Sequence, residues 1–324
     1  MEIANNRLRV GVIGAGKHGG RYARHIHSDV EGLTLTAISR RSDAGSQLAA
    51  QLGCRWYAQW KDLVAASEVD CIVAALPPTL NLEVARACAE AGKPLLLEKP
   101  MATSVAEAQA IFDLFCARNI SLTIGHTLRY NTIIKALKEQ LPTLGSLYSV
   151  TANQRLEPAP LAWLDQPEQA GAGVSYHSAI HVFDALHFIT GKQILRVMAR
   201  SRCLHSTRLE DHLLALVELE GGILGTVDCS KIGPARSGRF ELIGSQGQLH
   251  GDQVLHLLES VQGAQRTTLD CADPVSTLVP LLRDWCRFLR GAGDNPIPPE
   301  AGLAAVKVAA ACLRSAAKGG WEAV

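Results

Sequence analysis

A lysine, two histidines and an aspartate in this sequence have types and spacings suited to moving a proton. Lys99 stands in Glu98-Lys99-Pro100, directly after the apolar run Leu95–Leu97, and His177, His181 and Asp184 fall at i, i+4 and i+7. On a regular helix that interval places the latter three on one face. An imidazole near a carboxylate holds one tautomer and passes a proton near neutral pH. A lysine that is partly buried beside another cation is pushed towards neutrality and becomes a proton acceptor. The plainer readings are a solvated Lys99 at a strand end and a packing role for His177. The His-x-x-x-His interval could also hold zinc, but no glutamate follows His177, and no metal is expected.

A second constellation supplies the other cation. Leu8, Val10, Val12 and Ile13 form an apolar strand that runs into Gly14, Gly16 and Gly19, spaced G-x-G-x-x-G. The first glycine permits a tight turn, the second lets a pyrophosphate approach the backbone, and the third lets the next helix pack close. A helix opening there (Arg21 to His27) offers free N–H groups and partial positive charge to phosphate. His18, His25 and His27 read as ordinary early-helix residues, though Lys17 and His18 could touch that phosphate. The pattern predicts a dinucleotide site, and an oxidised nicotinamide is itself cationic, which would depress a nearby Lys99.

The elements that position these residues follow from the rhythm of the chain. Strand-like runs at Leu33 to Ile38, Val69 to Leu76, Leu95 to Leu97 and Ile120 to Ile124 alternate with helical runs at Leu80 to Ala91 and Val105 to Arg118, the latter with Ser104 and Glu107 as a capping box. Such alternation predicts right-handed crossovers and a parallel, doubly wound sheet with ligands at the strands' carboxyl ends. Gly14, Pro77, Glu98-Lys99 and Gly125-His126 all lie at such ends, so they are expected to share one crevice. After about residue 145 strands follow one another at Leu147 to Ala152, Ile194 to Ser201, Leu213 to Glu220, Ile223 to Asp228, Arg239 to Ile243 and Gln248 to His250, with Gly221-Gly222 marking a hairpin. One helix from Ser175 to Ile189 interrupts them, two more near Thr277 to Leu289 and Ala301 to Ala316 close the chain, and Gln166 to Gly173 reads as loop.

Composition bounds the rest. With 324 residues, two domains are the default. A formal net charge of +1 argues against a nucleic-acid or membrane-surface partner. No apolar run reaches the length of a membrane span. The start, Met1 to Arg7, has no basic region followed by an apolar core, so no leader is expected. Nine cysteines are scattered without a C-x-x-C pair, and several, such as Cys71, read as small buried hydrophobes. Reduced thiols in a cytoplasm are expected.

These residues together resemble the glucose-fructose oxidoreductase / inositol dehydrogenase family, Gfo/Idh/MocA. The resemblance rests on Gly14 to Gly19, Ala91-Gly92-Lys93-Pro94 leading to Glu98-Lys99-Pro100, Gly125-His126-Thr127-Leu128-Arg129-Tyr130, Trp163, Gly171-Ala172-Gly173 followed by His181 and Asp184, and Gly244-Ser245-Gln246-Gly247. It implies a Rossmann domain over residues 1–125, an α+β domain with an open, mostly antiparallel sheet over 126–324, and hydride transfer on sugars or polyols. It also implies Lys99 and His181 as the proton-handling pair, Leu76-Pro77 beside the nicotinamide ribose, and a dimer or tetramer. Glu98 orients Lys99 or caps the turn. Asn81 stands where relatives often carry a histidine. His126, Arg129, Tyr130 and Trp163 are expected to border the substrate, with Arg129 holding an anionic group or making an interdomain salt bridge. Relatives usually carry an aspartate four residues before the histidine; here it is His177, which moves the expected substrate away from plain inositol.

The end of the second strand reads Ser39-Arg40-Arg41. An acid there would bind the ribose hydroxyls of NAD. Ser39 with Arg40 or Arg41 instead suits a 2′-phosphate, so NADP(H) is expected to be preferred, with NAD(H) possible; two solvated arginines are the plain alternative. Asp43 is read as starting the next helix. The expectation is an NADP(H)-dependent oxidoreductase. A non-catalytic nucleotide sensor is disfavoured by the presence of both Lys99 and His181, and glycoside hydrolysis through tightly held NAD is disfavoured by the arginines.

Overall fold

The computed structural model describes residues 7–158 and 162–324; the leader reading of Met1–Asn6 lies outside the described residues. The chain divides into two compact units: Met1–Ala102 with Ala106–His126 and Ser276–Leu303, and Thr103–Val105 with Thr127–Val275 and Ala304–Val324. The return of Ser276–Leu303 to the first unit is a feature that one cut at 125/126 does not contain.

The first unit is built on one six-stranded parallel sheet: β1 (Leu8–Ile13), β2 (Leu33–Ser39), β3 (Arg55–Tyr57), β4 (Cys71–Ala74), β5 (Leu95–Leu97) and β6 (Leu122–Ile124), in the order 3-2-1-4-5-6. Val10, Val12, Ile13, Ile72, Val73 and Leu95–Leu97 are fully buried, as strands covered on both faces require. The connections are α1 (Lys17–Ser28), α2 (Ala44–Leu52, with Asp43 at its N-cap), α3 (Trp60–Ala65), α4 (Asn81–Glu90) and α5 (Val105–Arg118). The order reverses between β1 and β4, the switch point at which such sheets open a crevice.

The second unit holds a nine-stranded sheet: β7 (Leu147–Arg155), β8 (Ile194–Arg202), β9 (His212–Leu219), β10 (Ile223–Ser230), β11 (Arg239–Gly244), β12 (Gly247–Asp252), β13 (Leu257–Gln262), β14 (Gln265–Thr268) and β15 (Trp321–Ala323), ordered 14-13-12-11-7-10-9-8-15. Only the pair of β7 and β10 is parallel. Gly221 and Gly222 take φ of +85° and +75° and close the hairpin of β9 and β10, where side chains would be strained. Helix α6 (Thr132–Gln140) packs on β12 and β13. Helix α7 (Pro167–Ala170) lies inside the stretch expected to be loop: Pro167 at its first position starts a single turn, and Gly171 at φ +75° ends it. The helix expected from Ser175 is divided, with a π turn over Ser175–Ala179 preceding α8 (Ile180–Thr190), which packs on β7. Helix α9 (Leu278–Leu289) packs on α1 in the first unit, and α10 (Pro299–Lys318) follows. In β9 the residues Leu213, Ala215, Val217 and Leu219 are buried, while Leu214 and Leu216 on the opposite face stay 50% and 40% exposed.

Candidate active site

In the first unit the ends of the strands are locked into one row. Ile13 pairs with Ser39 and Ala74, Ala74 with Leu97, and Leu97 with Ile124. The next residue on each strand donates its N–H to the neighbouring strand's last carbonyl: Gly14 to Ser39 (3.0 Å), Ala75 to Ile13 (2.9 Å), Glu98 to Ala74 (2.9 Å) and Gly125 to Leu97 (2.8 Å). These bonds bring the glycine turn, Leu76-Pro77, Glu98-Lys99 and Gly125-His126 to one end of the sheet, as the sequence spacing implied. Leu76 and Pro77 are half-buried there, and His126 is fully buried.

The glycine turn fits a dinucleotide. Gly14 takes φ +79°, and a Cβ there would stand 2.3 Å from the Ala75 carbonyl oxygen; one on Gly19 would stand 2.2 Å from that of Gly14. A Cβ on Gly16 would meet only the Gly14 oxygen, at 4.0 Å. The turn is therefore closed where the chain packs and open at its middle glycine, where a pyrophosphate must approach. No side chain caps α1 and no acid lies in its first turn, so its leading N–H groups, from Lys17 to Gly19, are left for an anion. At the end of β2, Ser39 is buried and its carbonyl accepts from both Gly14 and Ala15 at 3.0 Å. Arg40 is half-buried and Arg41 exposed. The Arg40 backbone is fixed by Tyr57 O (3.2 Å) and Trp56 Nε1 (3.0 Å), and neither guanidinium has an ion-pair partner among the described residues.

Glu98 is the best-held side chain of this end. Its Oε1 accepts from Tyr22 Oη at 2.6 Å and bonds His18 Nε2 at 2.9 Å, while Oε2 accepts the Lys99 N–H at 3.1 Å. Gly125 admits the carboxylate, since a Cβ there would lie 2.8 Å from Oε1. Burial alone would raise the Glu98 carboxyl, but the His18 bond and charge, Lys99 and Tyr22 outweigh it and hold it below the usual range. Burial and then the Glu98 charge push the Tyr22 phenol far up, so it stays a donor. Half-buried Lys99 is held below the ordinary lysine range by burial, against the opposing pull of Glu98. The Lys99–Pro100 peptide is cis. Asn81, 2% exposed, donates Nδ2 to Pro100 O at 2.9 Å, which ties α4 to the turn after Lys99. Sequence reading missed Tyr22 and the bond between His18 and Glu98; partners 76 and 80 residues apart leave no local signal.

In the second unit, Asp184, read with His181 from its spacing, is engaged by Arg129. Both of its oxygens accept from Arg129, at 2.8 and 2.6 Å, and the pair is nearly fully buried. The Arg129 bridge thus lies inside the second unit, not across a domain boundary. The π turn, bonded i→i+5, interrupts the stripe expected of His177, His181 and Asp184. His177 stands edge-on to Trp163, with centroids 5.7 Å apart, and Tyr130 is buried nearby in sequence to Arg129. His177 lines a cavity of about 180 Å³ with Leu164, Asp165, His205, Glu210 and Lys231. Glu210 builds that wall: its Oε1 accepts from the Gly173 and Ser175 N–H groups at 3.0 and 3.1 Å and from the Ser175 hydroxyl, while its carbonyl accepts from Val174 at 2.7 Å. A Cβ on Gly173 would stand 1.8 Å from that carbonyl oxygen, which is why glycine precedes the π turn.

A doubly wound sheet with an open glycine turn and a depressed lysine on the same row of strand ends defines a dinucleotide-binding oxidoreductase. Residues 8–126 match the Gfo/Idh/MocA oxidoreductase family with its NAD-binding Rossmann fold, and 138–250 match the Gfo/Idh/MocA C-terminal domain; the chain belongs to this family. It is 30% identical over 252 residues to inositol 2-dehydrogenase 1 of Saccharopolyspora erythraea, covering 74% of this chain and 72% of that one. It is 27% identical over 257 residues to the myo-inositol 2-dehydrogenase of Thermotoga maritima, covering 76% of each. Levoglucosan dehydrogenase, solved with NADH and levoglucosan, shares the fold at a TM-score of 0.89 and 20% identity, over 98% of this chain and 99% of that one.

Proposed function

We propose that this oxidoreductase interconverts a hydroxyl and a carbonyl on a sugar, polyol or sugar derivative, preferring NADP(H) while able to use NAD(H). The observation that carries the reading is Lys99: half-buried, depressed by burial and set on the row of strand ends that holds the glycine turn. The substrate class is supported by relatives named for inositol and a fold neighbour named for levoglucosan. The cofactor preference is supported by buried Ser39 where NAD enzymes place an acid, followed by Arg40 and Arg41 without ion-pair partners among the described residues. Bound nicotinamide supplies the hydride acceptor in one direction and the donor in the other. Lys99 takes the hydroxyl proton on oxidation and returns it on reduction, with His181 relaying it. His126, Tyr130, Trp163 and His177 are assigned to the substrate walls, and Arg129 to holding Asp184. Nine free cysteines fit a reducing compartment such as the cytoplasm. Apolar side chains on the open face of the second sheet, among them Leu214, Leu216 and Leu224, suit a homo-oligomer.

The test is a panel of sugars, polyols, inositols and cyclic ketones followed by NADPH absorbance in both directions. On the best substrate, Lys99→Met is expected to lower kcat by about a thousandfold while NADPH still binds. Undiminished turnover in that variant overturns the assignment.

A further inference from the structure

We infer that Trp56 and Gly45 are positioning residues for the coenzyme. Together they fix the direction in which the Arg40 side chain leaves the end of β2 towards the ribose 2′-phosphate of NADP(H). Both act through Arg40, so their role rests on the cofactor preference proposed above. Strand β3 lies beside β2, with Trp56 paired to Ile38 and Tyr57 to Ser39. Arg40, one residue past that pairing, is held on both sides: its N–H donates to Tyr57 O at 3.2 Å, and its carbonyl accepts from Trp56 Nε1 at 3.0 Å. The two planar peptides that meet at the Arg40 Cα are each tied to β3, and with both planes fixed so is the Cα–Cβ bond.

The indole reaches that carbonyl because residue 45, in the first turn of α2, has no side chain. A Cβ on Gly45 would stand 2.5 Å from Trp56 Nε1, 2.9 Å from Trp56 Cδ1 and 2.9 Å from Arg40 Cβ. Gly45 is buried and does not take a positive φ, so what excludes a side chain here is the packing of these two residues and not a turn. An indole N–H donates and cannot accept, and a phenyl ring lacks it. The end of β2 is where a sheet of this kind meets the adenosine ribose. NAD(H) carries only a hydroxyl at the ribose 2′ position. The aim of a guanidinium therefore bears chiefly on NADP(H), through charge-assisted bonds that weaken steeply off axis.

The probes are NADPH and NADH, titrated against the protein by nicotinamide fluorescence, which needs no substrate. Trp56→Phe keeps a ring and removes the donor; the Kd for NADPH is expected to rise roughly three- to tenfold and that for NADH to change by less than about twofold. Gly45→Ala suits a helix better than glycine but strikes the indole and Arg40, so it is expected to give the same selective loss and decides the matter should Trp56→Phe not fold. In an Arg40→Ala background, Trp56→Phe is expected to shift the ratio of the two Kd values by less than about twofold, since both changes act on one contact. Losses equal for the two coenzymes, or confined to the melting temperature, mark a bond that only closes the sheet edge and overturn the inference. A selective loss that persists in full in the Arg40→Ala background also overturns it. If Arg40→Ala alone leaves the ratio unchanged, the reading of Arg40 falls and the positioning role with it. If Arg40→Ala shifts the ratio and neither Trp56→Phe nor Gly45→Ala does, the positioning role falls alone.

Discussion

Arg40 is where a single side chain has the clearest consequence. Its backbone is pinned by Tyr57 and Trp56, so replacing the side chain leaves the strand end in place. A charge-assisted bond to a phosphate contributes about 1.5–3 kcal/mol. Arg40→Ala is therefore expected to lower kcat/KM with NADPH by roughly ten- to hundredfold and to change it with NADH by less than about threefold. Steady-state kinetics with both cofactors measures this, and equal losses would count against the 2′-phosphate reading. At this scale the sequence was informative wherever function lay in short spacing. Gly14 and Gly19 sit where a side chain would strike the backbone while Gly16 stands open, and Lys99 stands at a strand end. Contacts between distant residues were not legible: His18 and Tyr22 on Glu98, and Arg129 on Asp184, depend on how the chain returns to itself.

Among the elements, the π turn before α8 departs furthest from expectation. A helical interval in sequence cannot distinguish i→i+4 from i→i+5 bonding, and the residue bonded to the opening of the wider turn here is Glu210, 35 residues from Ser175. Gly173→Ala would drive a methyl group into the Glu210 backbone. Overpacking of this kind costs about 1–3 kcal/mol, to be read from the shift in denaturation midpoint. Since His177 rides on the same turn, kcat/KM should fall more than stability alone explains, whereas Glu210→Gln, which keeps an acceptor, should be milder on both measures. The short strands β3, β14 and β15 were not visible in sequence for a related reason: three or four residues show no usable period, and every residue of β14 is exposed.

For the whole molecule, the alternation of β9 sets the expectation. One face carries Leu213, Ala215, Val217 and Leu219 to the core, but the other presents Leu214 and Leu216 to solvent, with Met198 paired to Leu216 across the sheet. Apolar rows of this kind on a sheet face suit association with a second copy. Leu216→Glu combined with Leu224→Glu is expected to lower the particle mass in light scattering to that of one chain, with unchanged far-UV circular dichroism. A mass that does not respond would place the contact elsewhere. The parallel and antiparallel halves of the fold were legible from element rhythm, because covered strands read as continuous apolar runs and hairpins announce themselves in glycine pairs. The return of Ser276–Leu303 to the first unit was not, because two amphipathic helices do not say which core they join.

The Ser39 main chain grips the glycine turn through two bonds to its carbonyl, and none of that grip uses the hydroxymethyl group. With the cofactor preference proposed above, anchoring and discrimination are divided between backbone and side chain at one position. On that reading, a lineage, or an engineer, can exchange what stands on that carbon and redirect coenzyme usage without rebuilding the loop that cradles the diphosphate.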